Sequence, residues 1–123
     1  MGCPCSDGSD ERKVLIYACS GAANTGFLAD QVARKLSRDG KGNMTCLAAV
    51  GADLSGFLAS AQGTDVNLVI DGCAVACGQK IFQKQDLPIS HVIMTNFGVT
   101  KGQSVVTSEL VERVSEKVWE AVQ

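Results

Sequence analysis

The residues best equipped for chemistry in this chain are cysteines, and two of them close an apolar run. In VNLVIDGCAVACGQKIFQKQ, residues 66–85, Val66, Leu68, Val69 and Ile70 lead into Asp71-Gly72-Cys73, and Cys77 follows four residues later. If the run is a buried strand and a helix starts just after it, positions i and i+4 share one helix face. The two sulfurs then converge on one ion or one partner. A helix N-terminus also suits a thiolate, the form of cysteine that binds metal or attacks. Cys19 stands at the end of another apolar run, KVLIYA, before a loop of small residues, SGAANTG. Cys46 lies in TCLAAV, within a third run.

Two chemistries fit this pattern. Zinc takes four ligands in a tetrahedron with sulfur about 2.3 Å away. Cys73 and Cys77 supply two, Cys19 a third, and Cys46 the fourth. Closed coordination by four thiolates makes a structural or sensory site, whereas a Cys46 that faces elsewhere leaves a position open for water, a thiol or an anion. The same thiols also serve an enzyme of redox exchange or of sulfur or metalloid transfer, with Cys19 and Cys73 as nucleophiles. Cys3 and Cys5, in Cys3-Pro4-Cys5, add an accessory soft-metal or resolving pair. Asp71 either orients a ligand or forms a turn. Asn24 and Thr25 either bond to the site or cap the helix that follows.

Composition narrows the class. The chain has 123 residues, 46% of them hydrophobic, and a formal charge of −2. One globular domain with a real core is expected. No Lys/Arg run and few aromatics argue against a nucleic-acid surface. The longest apolar runs are too short for a membrane span, and the start lacks the basic and apolar regions of a signal peptide. A cytoplasmic protein is the expectation, and there six cysteines read as ligands or redox thiols rather than disulfides.

These thiols need elements to position them. Residues 1–12 read as a flexible tail and 13–123 as one domain. Lys13–Ala18 is strand one. Phe27–Arg38 has helical spacing, with Gly40 to stop it. Met44–Val50 is strand two, which puts Cys46 in mid-strand. Asp53 starts a short helix to Ala61 with Leu54, Phe57 and Leu58 inward. Strand three is Val66–Ile70, helix three runs from Val75 to Gln85, strand four is Ser90–Thr95, and a last helix runs from Thr107 or Ser108 to Val122. The alternation predicts an α/β fold, a three-layer Rossmann-like sandwich with a mostly parallel four-stranded sheet, helices on both faces and strand order 2-1-3-4. Ligands of such sheets bind beyond the carboxyl ends of the strands.

Taken together, IYACSGAANTG, TCLAAVGA, IDGCAVAC and FGVTKG resemble the DGC-domain family, named for its Asp-Gly-Cys motif. The likeness runs from about Val14 to the final helix. It implies zinc binding through four cysteines, which fall on Cys19, Cys46, Cys73 and Cys77, with Cys3 and Cys5 outside the shared core. Other sites lack support. A strand, a cysteine and a small-residue loop also resemble the low-molecular-weight phosphatases, whose C-x5-R loop grips an oxyanion, but the sixth residue after Cys19 is Thr25 rather than arginine. The loop's amides still suit a small anion. Ser20 has no base partner for a hydrolase triad. His91, the one histidine, starts strand four, away from the cysteines, and reads as structural.

Overall fold

The computed structural model describes residues 12–123; Cys3 and Cys5 lie outside the described residues. Its strands are β1 Val14–Ala18, β2 Asn43–Met44, β3 Val66–Asp71 and β4 Ser90–Ile93. Its helices are α1 Asn24–Arg38, α2 Leu47–Gly51, α3 Ser55–Gly63, α4 Cys77–Lys84 and α5 Ser108–Ala121, with a 3-10 turn at Met94–Phe97. The four strands form one sheet in the order β2-β1-β3-β4, parallel throughout, as the alternation of runs predicts. Among the described residues no helix is long and apolar enough to cross a membrane.

Strand periodicity splits the core in two. Val14, Ile16 and Ala18 of β1 and Leu68 and Ile70 of β3 face α1 and α5, where they meet Leu28, Val32, Leu36, Val111, Val114 and Val118. Tyr17 and Val69 face the other way, onto Leu47, Val50, Ala61 and Phe82. The Tyr17 and Phe82 rings meet edge to face at 4.8 Å. The Tyr17 hydroxyl donates to Asn67 Oδ1 at 2.9 Å, and burial pushes its pKa up to about 12.

Helix ends follow known devices. At the end of α1, the Lys41 amide bonds to Leu36 O and the Gly40 amide to Ser37 O, with Gly40 left-handed at φ 77°. That is a Schellman motif, and it explains Gly40. Thr107 caps α5 by accepting the Leu110 amide at 3.1 Å.

Five boundaries differ from expectation. Strand two ends at Met44, and Leu47–Gly51 is helical. Leu47 and Val50, three apart, bury one helix face, and the alanines between them favour helix over strand. Cys46 is therefore the residue before α2, at the carboxyl end of β2 rather than within it. The next helix starts at Ser55, with Leu54 and Phe57 outward at 50% and 38% exposure. Helix α4 begins only at Cys77, after Ala76 at φ 55°. Strand four ends at Ile93 in the 3-10 turn. Finally, α1 starts at Asn24 behind Ala23, so neither Asn24 nor Thr25 serves as its cap.

Candidate functional site

The carboxyl ends of β1 and β3 are joined. The Cys19 amide donates to Ile70 O at 3.1 Å, and the Gly72 amide donates to Cys19 Sγ at 3.3 Å. Gly72 is required by contact rather than by flexibility. A Cβ there would stand 2.7 Å from the Gly26 nitrogen and from the Thr25 carbonyl carbon, in the first turn of α1. The Asp-Gly-Cys turn thus packs backbone on backbone against the helix that follows Cys19.

Asp71 is buried, 1% exposed, with both its carboxylate oxygens engaged. Oδ1 accepts the Gly78 amide at 2.8 Å, and Oδ2 accepts the Gln79 amide at 3.1 Å. Oδ2 also meets His91 Nε2 at 2.7 Å. A carboxylate from the end of β3 therefore caps α4, the role a local Ser or Asp usually fills. Gly78 admits this approach, since a Cβ would lie 2.7 Å from Val69 Cγ1 and 3.0 Å from Asp71 Oδ1. His91 is placed at the site, not away from it. In the β3–β4 register it pairs with Val69 and Ile93 pairs with Asp71, so its ring stands on Asp71's face of the sheet.

The four described cysteines are free thiols in two settings. Cys19, Cys46 and Cys77 line one cleft of about 790 Å³, walled by Met44, Leu47, Phe57 and Ile81. Cys73 is not among its lining residues. It lies in the bend between β3 and α4, so the expected i, i+4 helix pairing with Cys77 is absent. The Lys101 ammonium lies 3.5 Å from Cys73 Sγ. Lys101 is held there by Asn24, whose Nδ2 donates to Thr100 O at 3.1 Å and Ser104 O at 2.7 Å. Asn24 Oδ1 accepts the Gly102 amide at 2.7 Å. Asn24 is thus a loop clamp. Thr25 is buried with its hydroxyl unpaired.

Charge enters the cleft from α1. Ser20, left-handed at φ 52°, donates to Asp30 Oδ1 at 3.0 Å, and Arg34 Nε donates to Asp30 Oδ2 at 2.8 Å. Burial works to raise the Asp30 pKa. The hydrogen bonds from Arg34 and Ser20 and the Arg34 charge outweigh it and hold the carboxyl below its usual range. A second cavity, of about 820 Å³, lies at the amino ends of the strands beside Lys13 and Lys41, the latter over Trp119. None of the described cysteines lines it.

A closed zinc site needs all four sulfurs around one ion. Among the described residues no three of His, Cys, Asp or Glu stand together as a metal-holding group, and the Cys73 sulfur faces a cation. Sequence reasoning does not single out three side chains that stand beside Asp71, the cleft and Cys73: His91, Arg34 and Lys101. Only Lys101 had a signal, its place in FGVTKG.

Residues 15–118 match the profile of the DGC domain. Among curated proteins the chain resembles the anaerobic and virulence modulator AnvM of Pseudomonas aeruginosa. The two are 31% identical over 93 residues, covering 75% of this chain and 71% of that protein. No solved structure matches the chain.

Proposed function

The chain belongs to the DGC-domain family, and from that premise we propose that it is a thiol-based regulatory protein whose reactive groups are Cys19, Cys46 and Cys77. One observation carries the reading: these three free thiols, from the ends of β1 and β2 and the start of α4, line a single cleft. Two of them, Cys46 and Cys77, are exposed. Two of these thiols that lose two electrons and two protons to an oxidant form a disulfide, and the two elements it joins then change their spacing. The relative's name ties that protein to anaerobic life and virulence. A thiol switch suits such a modulator, and the reducing cytoplasm suits its resting dithiol form. Cys73 stands outside the cleft as a fourth thiol, beside Lys101. Cys3 and Cys5 provide further thiols on the same chain.

A second reading retains zinc. Cys19, Cys46 and Cys77 share one space, and rotation of their side chains toward a common ion would give three ligands and an open position for a small anion or a thiol. Cys73 as a fourth ligand would first have to leave Lys101.

One experiment separates the two. Protein purified without oxygen is assayed for metal per chain, and its free thiols are counted before and after a chelator. The thiol reading expects no stoichiometric metal and thiols open to alkylation from the outset. It also expects one intramolecular disulfide among the cleft cysteines after mild oxidation. About one zinc per chain, with thiols unmasked only by the chelator, overturns it in favour of the metal site.

A further inference from the structure

The cleft contains a guanidinium to which the thiol reading gives no task. Arg34 lines it, with its side chain 57% exposed. Its Nε is committed to Asp30 Oδ2 at 2.8 Å. Asp30 in turn is engaged by Ser20 at 3.0 Å and by Gln31 Nε2 at 3.4 Å. That contact orients the guanidinium and leaves its two terminal nitrogens without a partner among the described residues. A guanidinium edge of two parallel N–H donors matches a carboxylate. Apart from Ser20, Asp30 and Thr45, the remaining walls are apolar, chiefly from Met44, Leu47, Phe57 and Ile81. At about 790 Å³ the cleft has the size of a small-ligand site. One space therefore combines thiols, an apolar wall and an oriented cationic fork.

We propose that the cleft takes a low-molecular-weight disulfide bearing carboxylates, of the cysteinyl-peptide class, with Arg34 holding a carboxylate while a cleft thiolate attacks. The inference rests on the thiol reading above and names its oxidant. Cys46, exposed just before α2, gives its proton to solvent. Its sulfur attacks one sulfur of the ligand, the ligand's S–S bond breaks, and the other half leaves as a thiolate carrying the electron pair. A protein–ligand mixed disulfide remains. Attack by Cys19 or Cys77 then expels the second half as a thiolate and leaves a disulfide within the protein. The ligand disulfide is reduced by two electrons and two protein thiols are oxidised by two, so no other oxidant is needed. The overall charge of −2 attracts no anion by itself, so selection falls to the fork.

The test reacts reduced, full-length protein with oxidised glutathione and, separately, with the uncharged hydroxyethyl disulfide. Adduct formation is followed by intact mass and the site located by peptide mapping. The wild type should favour oxidised glutathione, and the ratio of the two rates should fall about tenfold in Arg34→Gln, the worth of one charge-assisted hydrogen bond. Arg34→Lys, which keeps the charge and loses the fork, should fall between. Adducts should map to Cys46, Cys19 or Cys77. An unchanged ratio in Arg34→Gln, or adducts confined to Cys73, overturns the inference and leaves the thiol reading standing. Cleft thiols inert to both disulfides overturn both.

Discussion

The two faces of the sheet are built to different standards. One carries α1 and α5, of 15 and 14 residues, over a continuous aliphatic core with several side chains fully buried. The other carries α2, α3 and α4, of 5, 9 and 8 residues, over a smaller cluster that includes polar pairs: Tyr17 with Asn67 and Asp71 with His91. Long amphipathic helices supply stability through area removed from water. Short helices contribute little by themselves and depend on capping and specific contacts. All three cleft thiols sit at segment ends on or beside the thin face, where local rearrangement costs least. Stability and reactivity are thus assigned to opposite sides of one sheet.

The sharpest way to break this division is to cut the thick face. Leu28→Ala should cost about 2–5 kcal/mol in denaturant unfolding, as buried leucines generally do, while the order of alkylation among the native cleft thiols stays as in the wild type. A changed order would mean that the faces are not independent. Next in size is Asp71→Ala on the thin face, which strands the Gly78 and Gln79 amides and the His91 ring. It should cost about 1–3 kcal/mol, speed alkylation of Cys77 and raise amide exchange in α4 while leaving α1 protected. Asn24→Ala, which frees the Lys101 loop, should cost about 1 kcal/mol and slow alkylation of Cys73, which loses its ammonium neighbour, with the cleft thiols unaffected.

The smallest effect is in pH. The Tyr17 phenol titrates near 12 when folded and near 10 when unfolded, so its contribution is complete below pH 10 and is lost as pH rises toward 12. Tyr17→Phe should flatten that alkaline decline. An equally steep decline in the variant would place its source elsewhere.

The strand order was readable because each strand is an apolar run ending in turn residues, and because helices alternate with them. The placement of Cys46 was not. Leu47 and Val50 satisfy a buried strand and one turn of helix alike, and only their packing against Val69 and Phe82 decides. His91 looked remote because a residue's height along a strand depends on register, and β4 is set so that its second residue stands level with Val69. Arg34 and Asp30 form a local i, i+4 pair on α1. What no local pattern contains is that this pair borders Cys19 and Cys77. Cys73 was legible as a strand-end thiol, but not its separation from Cys77, which follows from the left-handed Ala76 that delays the helix.

The Asn24 clamp also sets an order of assembly. Its three partners lie 76 to 80 residues further along the chain. Closing so long a loop is entropically slow, and it waits until β3 and β4 have joined the sheet. During synthesis Cys73 therefore emerges well before Lys101, and for that interval it lacks its ammonium neighbour. A change in the rate at which Cys73 reacts with a pulse of alkylating agent would accordingly serve as a clock for the last step of folding.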